Sequence, residues 1–239
     1  MTIISNTVTY LDGDVVLEAF FAFDDALSGR RPAVLINHTW VGRDEFVAEK
    51  AKKLAALGYV GFAVDMYGKG VLGSGPEQNM KLMQPFMDDR AMLQQRMKAA
   101  LAAVKLMPWV DDSKIASIGF CFGGLCSLDL ARTGADIKGV VSFHGLLVPP
   151  GNTHGNAIKA KILALHGHDD PMVSPEQVLA FEQEMTEAGA DWQLHAYGNT
   201  MHAFTNPLAN DSAFGTVYQP DADRRSWTAM QNFLTEIFA

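Results

Sequence analysis

From residue 33 to the last residue, short apolar runs alternate with longer stretches whose apolar residues recur at helical spacing. That alternation leaves few folds open. A helix between two strands returns the chain to the same end of a sheet, so the strands lie parallel and helices cover both faces. Strands are expected at 33–37, 59–64, 114–119, 139–143, 162–166 and 192–197. Helices are expected at 44–57, 79–106, 121–132, 175–188 and 223–238, the second broken near Pro85. Gly58 suits the residue just past a helix, and Ser174 suits an N-cap. Ahead of this series, 8–23 reads as two strands meeting at Asp12-Gly13, a hairpin signal. The expected class is α/β, a three-layer α/β/α sandwich around a mostly parallel sheet. One domain spanning 1–239 is expected at this length.

Composition narrows the partners. The chain has 239 residues, 48% hydrophobic and 19% charged, which is enough apolar material for a sizeable core. Its formal net charge is −8, and the basic residues form no long run. Nucleic acid is therefore not an expected partner, because phosphate binding needs clustered positive charge. No run reaches the roughly 18 apolar residues of a membrane span, and MTIISNTVTYLDGD has neither a basic start nor a long apolar stretch to serve as a leader. Cys121 and Cys126 point about 140° apart on a helix, so no bridge between them is expected. A cytoplasmic monomer is the simplest expectation.

In a parallel sheet, binding groups gather beyond the carboxyl ends of the strands. Three segments meet that condition. The first is Gly119-Phe120-Cys121-Phe122-Gly123, a G-x-C-x-G turn between a strand and a helix. This is the context of the nucleophile elbow of α/β-hydrolases, with Cys where Ser is usual. The glycines permit the sharp bend, and the helix N-terminus favours a thiolate. The second is Gly167-His168-Asp169-Asp170-Pro171-Met172-Val173, an acid turn of the form G-x-x-D-P-x-V. It selects Asp170, with Asp169 as the alternative. The third is Gly198-Asn199-Thr200-Met201-His202-Ala203-Phe204, which puts His202 in the loop before the last helix. Nucleophile, acid and histidine thus occur in the order this fold requires. Cys121 would attack an acyl carbon, His202 would carry the proton and Asp170 would fix the imidazole tautomer. Backbone N–H groups of Phe122 and Trp40 are the expected oxyanion donors. Two other readings use the same residues: a binding protein of this fold without turnover, and a redox-sensing thiol at Cys121.

These segments, with HTWVG after the early strand and GYVGFAVDMYGKG, make the chain similar to the dienelactone hydrolase (carboxymethylenebutenolidase) family over nearly its whole length. The resemblance implies a single-domain α/β-hydrolase that cleaves ester or lactone bonds without a cofactor. It implies Cys121, Asp170 and His202 as triad, and the Trp40 and Phe122 backbones as oxyanion donors. The chain departs from the family pattern at three places. Thr39 stands where well-known members carry a glutamate. Asn206 stands where one substrate-binding arginine follows the histidine. GSGPEQNMK offers no counterpart of the other, and Arg90 reads as part of a helix. Dienelactone itself is then not the expected substrate. A neutral or weakly anionic ester or lactone between apolar walls is. His38, Thr39, His144 and Phe204 are the expected substrate contacts. His166 and His168 near the acid turn match no metal-ligand spacing, so no metal is expected. The Met80, Met83, Met87, Met92, Met97 series reads as adaptable packing.

Overall fold

The computed structural model describes residues 2–239. Ten strands and six helices follow in the order β1 (Ile3–Asp12), β2 (Val15–Asp24), β3 (Arg31–Asn37), α1 (Glu45–Ala56), β4 (Val60–Ala63), α2 (Pro76–Asp88), α3 (Arg90–Lys105), β5 (Val110–Phe120), α4 (Phe122–Arg132), β6 (Gly139–Phe143), β7 (Lys161–Gly167), α5 (Pro175–Glu187), β8 (Trp192–Tyr197), β9 (Asn210–Asp211), β10 (Thr216–Val217) and α6 (Pro220–Phe238). Eight strands make one sheet in the order β1-β2-β4-β3-β5-β6-β7-β8. Within this sheet β1 with β2 and β2 with β4 are antiparallel, and β3–β4, β6–β7 and β7–β8 are parallel; β9 and β10 form a separate antiparallel pair. The chain divides into two compact units, one ending at Ile118 and the other starting at Gly119.

In the first unit, β1 and β2 form the expected hairpin, with Gly13 at φ +57 in the turn. Helix α1 buries Val47, Ala51 and Leu54, and Gly61 of β4 lies under it. A Cβ at Gly61 would stand 2.5 Å from the Ala51 carbonyl oxygen, so only glycine admits this approach. The helical stretch 79–106 is broken at Asp89, not at Pro85. Pro85 sits in the last turn of α2, where its carbonyl accepts the Asp89 N–H at 3.0 Å. Asp89 leaves helical geometry (φ −121, ψ 89) and its side chain accepts the Met92 N–H, which starts α3. A capping aspartate, not the proline, sets the boundary. Behind β4, the Asp65 carboxylate collects the backbone N–H groups of Glu18, Tyr67 and Gly68 and fixes the start of the long loop to α2.

In the second unit, β6, β7 and β8 run parallel, and α5 is closed by a full capping box between Ser174 and Gln177. Helix α6 begins at Pro220, three residues before the apolar pattern does, and buries Met230, Phe233, Leu234 and Phe238. Arg132 ends α4 and is 2% exposed. Its guanidinium forks onto Glu184 of α5 (2.8 and 2.6 Å), pairs with buried Asp129 (3.2 Å) and donates to the Leu147 carbonyl (2.8 Å). Truncating it takes the guanidinium away from the Asp129 carboxylate, which is 0% exposed, and from Glu184. Arg132→Ala is expected to cost about 3–5 kcal/mol. Thermal unfolding checks this, with a fall in Tm on the order of 10 °C for a chain of this length.

Candidate active site

The turn between β5 and α4 is as sharp as the glycines suggested. Cys121 has φ +56 and ψ −118, a conformation that a side chain adopts only under constraint. Its own N–H donates to the Phe143 carbonyl of β6 at 3.0 Å, and its carbonyl accepts the Gly124 N–H at 2.9 Å. Close approaches explain the glycines. A Cβ at Gly119 would lie 1.9 Å from the Gly123 carbonyl oxygen, and one at Gly124 would lie 2.8 Å from the Cα of Gly145. Cys121 is partly exposed, whereas Cys126, one turn into α4, is buried; neither is in a disulfide. Phe122 is the first residue of α4 and is fully buried, and Phe120 stacks on Phe143 at 4.7 Å.

The acid turn follows β7. Asp170, 4% exposed, splits its carboxylate between two donors. One oxygen accepts the Met172 N–H at 2.8 Å, and the other meets His202 Nδ1 at 2.7 Å. That partner makes Nδ1 the protonated nitrogen. His202 is 1% exposed and is held by its main chain: its N–H donates to the Gly215 carbonyl, and its carbonyl accepts the Val217 N–H, both at 3.0 Å. Its Nε2 is buried and has no hydrogen-bond partner of good geometry. Burial alone would depress this imidazole, but the negative charge of a Cys121 thiolate and the bond to Asp170 outweigh it. The pKa is pushed up to about 10. Cys121, Asp170 and His202, separated by up to 81 positions in sequence, follow β5, β7 and β8 within one compact unit, with His202 bonded to Asp170 and under the electrostatic influence of Cys121.

Three other histidines, His38, His144 and His166, are buried. His144 follows β6 at φ +39 and is 1% exposed. Its Nε2 pairs with the Thr205 hydroxyl at 2.8 Å, and its ring stands edge-on to His202 (5.1 Å) and Phe204 (5.0 Å). Phe204 is itself fully buried. Both form a wall behind the His202 ring. His166 is 5% exposed, and burial holds its pKa below the ordinary range. In the first unit, His38 is fully buried, accepts the Met66 N–H at Nε2 (3.3 Å) and faces the Thr39 carbonyl with Nδ1 (2.5 Å). Burial pushes it down to about 4, so it is neutral. Thr39 is partly exposed, and its hydroxyl accepts the Val41 N–H at 3.4 Å. Trp40 is partly exposed, and its carbonyl accepts the Tyr67 hydroxyl at 3.1 Å. Among the described residues no group of three or more His, Cys, Asp or Glu is placed to hold a metal ion, and no helix is long and apolar enough to cross a membrane.

Sequence reasoning missed the support of His202. The β9–β10 hairpin supplies both of its main-chain partners, and Gly215 presses on Pro171 so closely that a Cβ there would lie 2.1 Å from the proline ring. The only signal was the Gly215 between Phe214 and Thr216, a turn residue with no strand pattern around it.

A mostly parallel sheet with a strained strand–turn–helix at its centre, followed by an acid after β7 and a histidine after β8, defines the α/β-hydrolase class of protein. Within that class the chain belongs to the dienelactone hydrolase family, whose model matches residues 17–238. It is a hydrolase acting on ester or lactone bonds. It is similar over its full length to the crystal structure of a dienelactone hydrolase-like promiscuous phosphotriesterase, P91, from metagenomic libraries, at 39% identity and a TM-score of 0.94, with 100% of each chain covered. An uncharacterized protein of Caenorhabditis elegans, K02A2.1, is 41% identical over 64% of this chain and 98% of its own. A Bradyrhizobium protein named "Probable 2-oxo-3-(5-oxofuran-2-ylidene)propanoate lactonase" is 26% identical over 84% of this chain and 82% of its own.

Proposed function

We propose that this chain acts as one domain, a cysteine-dependent hydrolase of neutral or weakly anionic esters or lactones. The observation that carries the reading is the 2.7 Å bond from His202 Nδ1 to the buried Asp170 carboxylate, with the opposite nitrogen left to Cys121. The Cys121 sulfur attacks the acyl carbon, and the carbonyl π pair moves to oxygen. The backbone N–H groups of Phe122 and Trp40 receive that oxyanion. As it collapses, the C–O bond breaks and the His202 imidazolium protonates the leaving alkoxide. Water then attacks the thioester while His202 takes its proton, and the thiolate leaves. His202 is suited to hold the first proton because its pKa is raised to about 10. Two cysteines outside any disulfide suit a reducing cytoplasm, and no cofactor enters these steps.

The substrate class follows from what replaces the family's cations. Asn206 turns its side-chain oxygen to the Leu208 N–H at 3.0 Å, closing a local turn. Arg90 begins α3 and is 9% exposed, so it is packed into its own unit. A substrate carboxylate would therefore lack the bidentate partner that makes such recognition selective. Thr39 and Trp40 are partly exposed in the early loop, as is Val41, and are assigned to the substrate wall. His38 is assigned to the same early loop, while His144, edge-on to His202, and Phe204, packed on His144, act from behind the His202 ring. The likeness to a promiscuous phosphotriesterase agrees with an uncharged substrate. The test is a panel of p-nitrophenyl esters, simple lactones, dienelactone and an aryl dialkyl phosphate triester. Neutral aryl esters are expected to exceed dienelactone by at least about tenfold in kcat/KM. The reverse order overturns the substrate assignment.

A further inference from the structure

Two adjacent aspartates follow β7, and the structure gives them separate work. Asp170 turns inward to His202. Asp169 is exposed, yet it exchanges two hydrogen bonds with Thr200, two residues ahead of His202. The Asp169 N–H donates to the Thr200 carbonyl at 2.9 Å, and the Asp169 carboxylate accepts the Thr200 N–H at 3.0 Å. Thr200 is 2% exposed, so this carboxylate reaches a buried backbone group. The two loops are in close contact there, because a Cβ at Gly167 would lie 2.5 Å from the Thr200 carbonyl oxygen. The loop so held is strained on both sides of Thr200, with Asn199 at φ +54 and Ala203 at φ +59. Left-handed residues persist only where their surroundings impose them. The Thr200 hydroxyl is engaged locally, donating to the Gly198 carbonyl, so the tie to the acid turn rests on Asp169.

We propose that Asp169 is a positioning residue, a clasp that acts through the Thr200 main chain to set His202 against Asp170. The inference deepens the triad reading and rests on it. The clasp needs an acceptor oxygen at this site and no net charge. That requirement separates it from a second catalytic acid and from a surface aspartate of no consequence.

The test uses the full-length protein with p-nitrophenyl acetate as probe and four variants: Asp169→Asn, Asp169→Ala, Asp170→Asn and Cys121→Ala. Asparagine keeps the acceptor, so Asp169→Asn is expected within about threefold of wild type. Asp169→Ala is expected to lose about 10–100-fold in kcat with KM little changed, the scale of a small misplacement of a proton-transfer group. NMR titration of the His202 ring should show a lower midpoint in Asp169→Ala, because a looser bond to Asp170 removes part of what raises it. Loss of stability alone would not move that midpoint in the folded protein. Wild-type kcat and an unmoved midpoint in Asp169→Ala overturn the clasp. So does an Asp169→Asn variant as inactive as Asp170→Asn, which would make Asp169 act by charge; this arm remains readable if Asp169→Ala fails to fold. Full activity in Asp170→Asn or Cys121→Ala removes the triad reading itself, and the clasp with it.

Discussion

Cys121→Ala is expected to lower kcat/KM for a p-nitrophenyl ester by about 10⁴-fold or more, leaving the rate near background. No other group in the second unit replaces the sulfur: Cys126 is buried inside α4, and the nearby Ser142 is 1% exposed. The variant also reports on the partner. A thiolate at Cys121 is the foremost influence raising His202, so its removal lets burial dominate and the His202 midpoint falls. Ring NMR titration of wild type against Cys121→Ala reads that direction. In wild type, His202 keeps its proton up to about pH 10. For an alkyl ester or lactone, whose leaving alkoxide must be protonated, kcat/KM should fall as pH rises through that value. A p-nitrophenyl ester releases a phenolate that needs no proton, and its alkaline limb should be shallower. An unchanged rate in Cys121→Ala would leave the thiol a role outside turnover.

Asp170→Asn should cost about 10⁴-fold in kcat, the scale for an amide replacing the orienting carboxylate of a triad. The geometry says why an isosteric change does so much. The Met172 N–H needs an acceptor from residue 170, so the amide oxygen stays there and the NH2 group turns to His202. Facing a donor, His202 Nδ1 must give up its proton. The proton then sits on Nε2, where it blocks proton uptake from water in the second half of the reaction. Stability should change little, because shape and both contacts survive. Steady-state kinetics alongside a thermal melt separate the two effects.

The parallel sheet was legible because the apolar runs of β3, β6 and β7 are buried on both faces and carry no alternation to confuse them. The positions of Cys121, Asp170 and His202 were legible for a related reason. Each follows a strand end, and strand ends are readable. The residues 3–7 were not assigned to a strand. Here β1 pairs with β2 on one side only, and its side chains are mostly exposed, so no period of two develops. The β9–β10 hairpin has two residues per strand and exists through main-chain bonds, to which side-chain patterns are blind. The Asp169 carboxylate meets a main-chain N–H 31 residues further on, a partner that no local pattern marks. The burial of His38, His144 and Phe204 was not legible. Their burial depends on residues distant in sequence, such as Met66 and Thr205, and no local reading supplies that.

The β9–β10 hairpin has a consequence for how such a chain can change. His202 hangs from it by carbonyl and N–H groups that every residue type possesses, and Leu208 and Phe214 point outward, 90% and 48% exposed. Gly215 is dictated by its contact with Pro171, and the Asp211 side chain accepts the Phe214 N–H at 2.9 Å. Selection or design can therefore change an outward position such as Leu208 without touching proton transfer. The hairpin works as a fitting whose mount is fixed and whose outermost side chain is replaceable.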